Sequence, residues 1–170
     1  TPAWERWSLV AAIPVVAYLA LLRTSSTLAS TTMWAEDGRE FVSDAVNRGV
    51  FGSLLRTYNG YMHVPARITA VLATIRLSDA AFVLAVVPCL VAASVGGLVY
   101  RAARPHVGSR ILRSILALSV VLLPIPASET VANAANMPWC LRFGACWAWL
   151  GLAQAPPPGG GRSARLCLRR

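Results

Sequence analysis

Residues 80–100 form an unbroken run of 21 positions without one charged side chain. As a helix such a run reaches about 31 Å at 1.5 Å per residue, the thickness of a bilayer's hydrocarbon core. No polar stripe interrupts it, so a soluble amphipathic bundle has nothing to turn toward water there. Pro88 and the small cluster from Ala92 to Gly97 permit a kink and close helix approach.

Three further apolar stretches accompany it, and together they predict an all-α, multi-pass transmembrane protein. Residues 8–28 follow Trp4 and Trp7 and contain Arg23, which is expected to snorkel to the headgroups. Residues 111–126 end at a pair of prolines, and residues 139–153 carry Arg142. The first stretch also has the length of a signal-peptide core, but only Ala29-Ser30-Thr31 offers a cleavage site. After residue 153 a Pro/Gly tract leads into a basic tail, 154–170, that reads as a truncated or out-of-frame terminus.

Charge sets the expected orientation. All 16 basic residues of the 170-residue chain are arginine, against seven acids. The arginines punctuate apolar runs instead of forming a basic face with aromatic readers, so lipid headgroups and not nucleic acid are the expected partners. The short connection 101–113 holds Arg101, Arg104, Arg110 and Arg113 with no acid and is expected to be cytoplasmic. Alternation then puts residues 29–79 and the segment after the third stretch outside, with the protein in the cytoplasmic membrane. The transporter class wants ionisable groups at mid-membrane depth, and 80–100 supplies no charge for it. The four cysteines lack CxxC spacing, and His63 and His106 fall on opposite sides, so neither a zinc nor a haem site is indicated.

Within the outer segment 29–79, two interfacial helices are expected. One spans 38–48, with Phe41, Val42, Ala45 and Val46 on one face and Gly49 as its stop. The other spans 65–77, begins at Pro65 and repeats Ile68, Val71, Leu72 and Ile75 while Arg67 and Arg76 point elsewhere. Tyr58-Asn59-Gly60-Tyr61 makes a turn between them.

Five of the seven acids fall in this outer segment, and Glu36-Asp37 stand together. Asp37 with Glu40 three residues later fits an acidic capping box for the first interfacial helix. A carboxylate at a rigid, partly desolvated helix start equally suits a general base, and capping by one acid leaves its neighbour free.

Trp34-Ala35-Glu36-Asp37-Gly38 with Phe41, then Tyr58-Asn59-Gly60-Tyr61 and Pro65-Ala66-Arg67, resembles the first extracytoplasmic loop of polytopic GT-C type glycosyltransferases. Ser128-Glu129-Thr130-Val131 and the stretch Asn133-Ala134-Ala135-Asn136-Met137-Pro138-Trp139 similarly resemble a later outer loop of bacterial members. The resemblance implies transfer of a sugar from a polyprenyl-phosphate donor to a glycan or lipid acceptor outside the membrane. It maps the catalytic acid to Asp37, with Glu36 as the adjacent candidate. Tyr61, His63, Arg67, Glu129 and Asn136 become candidates for substrate contact, and Arg67 and Arg142 for a lipid phosphate. Some members use a divalent metal, for which Mg²⁺ or Mn²⁺ held by Asp37, Glu36 or Glu129 fits hard oxygen chemistry. The competing expectation is a non-enzymatic membrane protein that binds lipid or a partner, its acids and asparagines serving as caps and turns.

Overall fold

The computed structural model describes residues 3–24, 31–122 and 131–153. Among them the structure is all-α, and the one β-bridge joins Tyr58 to Tyr61. Among these residues six α-helices carry the fold: α1 (Ala3–Arg23), α2 (Ser43–Leu54), α3 (Val64–Thr74), α4 (Ala80–Ala102), α5 (Arg110–Leu122) and α6 (Met137–Ala153). Short 3₁₀ turns at Leu77–Asp79 and Ala134–Asn136 lead into α4 and α6.

The uncharged run becomes α4, the central helix on which α1, α5 and α6 pack. Small side chains allow that approach. A Cβ on Gly96 would sit 2.8 Å from the Ala117 carbonyl oxygen of α5, and one on Gly144 of α6 would sit 3.1 Å from Val95. Ala92 and Ala93 are buried on the same helix, so the seams close by shape and backbone proximity. Outward-facing positions stay apolar: Trp7, Ile111, Trp149 and Leu152 are each about 70 % exposed or more.

Two ends result. At one, the Glu5 carboxylate of α1 accepts from Arg104 at 3.0 Å, joining the start of the chain to the arginine-rich connection after α4. At the other, Arg23 donates to the Val121 carbonyl in the last turn of α5, one of the carbonyls a helix end leaves without an internal partner. Thus α1 and α5 run one way and α4 and α6 the other. The segments 31–79 and 131–136 share the second end, called here the loop end, while the connection 103–109 lies at the basic end.

Several expected bounds shift. The first stretch, expected over 8–28, is helical from Ala3 because Trp4 and the Arg104-paired Glu5 belong to its first turn, and Arg23 is tied to Val121 instead of snorkelling. Among the described residues two helices, Ala3–Arg23 and Leu77–Ala102, are long and apolar enough to cross a membrane. The stretches expected at 111–126 and 139–153 form helices of 13 and 17 residues, short of that length, with 123–130 outside the described residues. The tail 154–170 also lies outside them.

The two helices expected within 29–79 are present, with shifted bounds. Gly49 stops the first as expected, with φ at +69°, but the chain resumes helical geometry to Leu54. In α3 the packed face is Ala66, Arg67, Thr69, Ala70 and Ala73, and the larger Ile68, Leu72 and Ile75 are turned outward. Ala66, Ala70 and Ala73 join the same buried cluster as Phe41, Ala80 and Leu84, so small side chains bring α3 close against α4 and the turn before α2. Asn59 and Gly60 both take positive φ between the mutual backbone bonds of Tyr58 and Tyr61, a two-residue hairpin for which Asn-Gly is the favoured sequence.

Candidate functional site

The loop end is organised by two carboxylates seven residues apart. The chain approaches α2 through a π-helical turn, Asp37–Val42, in which the Ser43 N–H reaches back five residues to the Gly38 carbonyl. Such widened turns are rare and often mark functional positions. Glu36, at the start of the turn, has helical φ and ψ and makes no side-chain cap, so the capping box expected from Asp37 and Glu40 does not form. Asp37 caps a different segment.

Its Oδ2 accepts the Ala134 N–H at 2.9 Å and its Oδ1 the Ala135 N–H at 3.1 Å. These donors open the helical run that continues into α6, where the first N–H groups have no partner within the helix. The Asn133 side chain also accepts from Ala135, at 2.8 Å. A negative charge at this position is favoured by the helix dipole, yet Asp37 is only 1 % exposed and faces no cation among the described residues. Burial therefore pushes its pKa up to about 6; the two N–H bonds limit the rise, and the Glu36 charge adds slightly to it.

Asp44 sits in the opposite electrostatic setting. Its carboxylate receives Arg67 at 3.0 Å and Arg48 at 3.2 Å, and Arg56 completes the cluster. Burial pushes this carboxyl upward too, but the hydrogen bonds and charges of Arg67 and Arg56 outweigh it and hold the pKa below the ordinary value. Arg67 is 1 % exposed: Nη1 binds Asp44, Nε binds the Met62 carbonyl at 3.1 Å, and the guanidinium lies 5.2 Å from the Phe41 ring centre. Expected as a phosphate ligand, it is placed here as an internal tie between α2, α3 and the π turn.

His63 lies between these centres. It holds a left-handed backbone, φ 45°, just before α3, and its ring meets Phe41, Tyr58 and Tyr61 at 5.6–5.9 Å. Burial and then the Arg67 charge lower its pKa, while the backbone of Ala135 and Tyr58 pulls the other way. The neutral imidazole is the form this favours at pH 7. Its Nδ1 is buried without a hydrogen-bond partner among the described residues. Asp37 and His63 thus approach the same residue, Ala135.

The structure brings together Glu36, Asp37, His63, Tyr61 and, through Phe41, Arg67. Glu36 is half-buried and makes no hydrogen bond or ion pair among the described residues. Asn136 is half-buried on the neighbouring turn and lines a separate apolar cavity of about 550 Å³ between α4, α5 and α6, to which Asp37 does not contribute. Arg142 is exposed over the Trp139 ring at 4.8 Å. Glu129, expected for substrate or metal contact, lies outside the described residues. Among those described, no three His, Cys, Asp or Glu side chains converge to hold Mg²⁺ or Mn²⁺, and both oxygens of Asp37 already accept N–H groups. His106 lies at the basic end, away from His63.

Sequence reasoning missed Asp44. The signal was its four-residue spacing to Arg48, in a chain where arginines outnumber all acids. The partners of Asp37 were not readable, since a backbone N–H 97 residues away leaves no mark in composition. Comparison of the chain with protein-family models, curated proteins and solved structures returned no match.

Proposed function

We propose that this chain is a multi-pass protein of the cytoplasmic membrane that forms part of a GT-C type glycosyltransferase, with the loop end outside and the basic end in the cytoplasm. The observation that carries this reading is the contact of Asp37 with Ala134 and Ala135, by which the two segments bearing the family resemblance meet on one carboxylate. A base with a pKa of about 6 is ionised at neutral pH and still basic enough to take a proton from a hydroxyl group. Each oxygen keeps a second lone pair for that purpose.

In the proposed reaction the acceptor hydroxyl gives its proton to Asp37 while its oxygen bonds the anomeric carbon of the donor sugar. The bond from that carbon to the lipid phosphate breaks, and polyprenyl phosphate leaves with the electron pair. Glu36 raises the basicity of Asp37 by its charge. The neutral His63 and Tyr61 offer hydrogen-bonding and stacking groups to the sugar. Membranes containing the protein, supplied with a short-chain polyprenyl-phosphate hexose, should release polyprenyl phosphate and form a glycosylated product. Asp37→Asn should slow release by about 10²–10⁴-fold, the usual range for loss of a general base. Full transfer by Asp37→Asn at equal membrane level removes Asp37 from the mechanism, and Glu36→Gln is measured beside it.

A second reading, non-enzymatic, is favoured by the same carboxylate's 1 % exposure and its two N–H bonds, which make it a clasp between loops. The two readings separate on whether Asp37→Asn lowers thermal stability, transfer, or both.

A further inference from the structure

We propose that the basic end carries a binding site for one anionic phospholipid, whose acyl chain lies in a groove between α1 and α5 and whose phosphate meets Arg110, with the buried Arg113 adding its charge from behind the groove wall. The site rests on the membrane placement given above and not on sugar transfer.

The groove is a cavity of about 300 Å³, walled by Leu9, Ile13 and Val16 of α1 and Leu118 of α5, with Ala93 and Gly97 of α4 as its floor. From Trp4 to Val16 it follows α1 for about 18 Å at 1.5 Å per residue, so it is long and narrow. Gly97 matters most to its shape. A Cβ added there would meet nothing within 4 Å, whereas the adjacent Gly96 already touches the α5 backbone. The missing side chain at Gly97 is therefore empty space in the groove and not a packing contact.

The mouth is cationic and lacks a matching acid. Glu5 lines it, but its carboxylate is taken by Arg104 at 3.0 Å. Arg110 lies over the Trp4 ring at 5.9 Å and Arg113 over the Tyr100 ring at 5.0 Å, and both rings line the groove. Aromatic faces orient a guanidinium without neutralising it. Arg113 is 4 % exposed, makes no ion pair among the described residues, and has a buried Nε without a hydrogen-bond partner there. A buried cation left in that state is costly, and an anion held at the mouth by charge-assisted hydrogen bonds from Arg110 lowers that cost through its charge. Arg6 and Arg101, both exposed nearby, add to the same sign of field. An apolar slot that ends at the Arg110 guanidinium, with a second unpaired guanidinium behind its Tyr100 wall, complements a lipid with an anionic head.

The test uses the whole protein in phosphatidylcholine vesicles carrying a trace of chain-spin-labelled phosphatidylglycerol or phosphatidylcholine, with the immobilised fraction read by electron paramagnetic resonance. Phosphatidylglycerol should be retained over phosphatidylcholine by about fivefold for each arginine engaged. Arg110→Gln, at an exposed position, should lower that preference, and the Arg110→Gln/Arg113→Gln double variant should abolish it. Gly97→Leu should remove the immobilised component for both lipids, and Gly97→Ala should keep it. Equal retention of the two lipids by the unaltered protein overturns the proposal. So does unchanged retention in Gly97→Leu with its helical circular dichroism intact, or displacement of the label by inorganic phosphate, which would assign the arginines to a free anion. Flotation of the same vesicles separates the failures: protein that does not float overturns the membrane placement along with the lipid site, whereas floating protein without lipid preference overturns the lipid site alone.

Discussion

Asp37 and Asp44 stand seven residues apart and are almost equally buried, at 1 % and 5 % exposed, yet their surroundings give them opposite chemistry. Asp37 is cradled by two backbone N–H dipoles with no cation beside it among the described residues, and burial raises its pKa to about 6. Asp44 is held by three arginines, and its pKa falls. Burial alone therefore says little about what a carboxylate does. A cation makes it a fixed anion and a structural tie; neutral donors leave it poised to exchange a proton near neutrality.

The comparison breaks most sharply at the arginine cluster. Asp44→Asn leaves the Arg67 guanidinium buried without its counter-charge and should cost about 3–5 kcal/mol, measured by thermal or denaturant unfolding in detergent. A loss below about 1 kcal/mol would mean that Arg67 finds another partner, and the contrast between the two acids would dissolve.

Next in size is the dependence on pH. Because the folded pKa of Asp37 lies above its ordinary value of 3.8, the folded state holds this proton more tightly than the unfolded chain does. Its contribution is full below pH 3.8 and is lost as pH rises through about 6, a swing of about 3 kcal/mol. Asp44 has the opposite sign: its stabilisation is present above the ordinary carboxylate value and lost as pH falls through its lowered folded value. Asp37→Asn should flatten the stability profile between pH 4 and pH 7, while Asp44→Asn should leave that interval alone. Sugar transfer, in turn, should show an acid limb with an apparent pKa of about 6.

A smaller effect sharpens the Asp37 side. Asn133→Ala removes the second acceptor on the Ala135 N–H and should cost about 0.5–2 kcal/mol, read as a lower midpoint of thermal unfolding. The smallest belongs to the rim of the Asp44 cluster. Arg48 is 54 % exposed, so Arg48→Ala should cost less than about 1 kcal/mol and less still in high salt. Were Arg48 to match the Asp44 effect, the cluster would act as a unit and not through Arg67.

Much of the framework was legible in the chain, for reasons that are local. The uncharged run 80–100 became the central helix, Asn59-Gly60 made the expected turn, Pro65 lies in the first turn of α3 and Gly49 interrupted helical geometry where a left-handed residue was needed. The site was legible in part. Glu36, Asp37, Tyr61, His63 and Arg67 do gather at one end, together with residues of the later loop. The role of each did not follow from residue type. Arg67 was a candidate for a phosphate and is buried against Asp44; the small residues of α3 that pack inward, Ala66, Ala70 and Ala73, carried no signal beside its larger apolar repeat.

The sequence by itself determined the helices, their apolar character and the gathering of most acids in the segment 29–79, because propensity, hydropathy and turn chemistry act within a few residues of each other. Only the tertiary structure decided which carboxylate meets the buried Arg67 and which meets bare N–H groups, because those partners come from segments 23 and 97 residues away. That choice sets the pKa, and with it the chemistry open to each acid: proton exchange near neutrality at Asp37, and a permanent charge at Asp44.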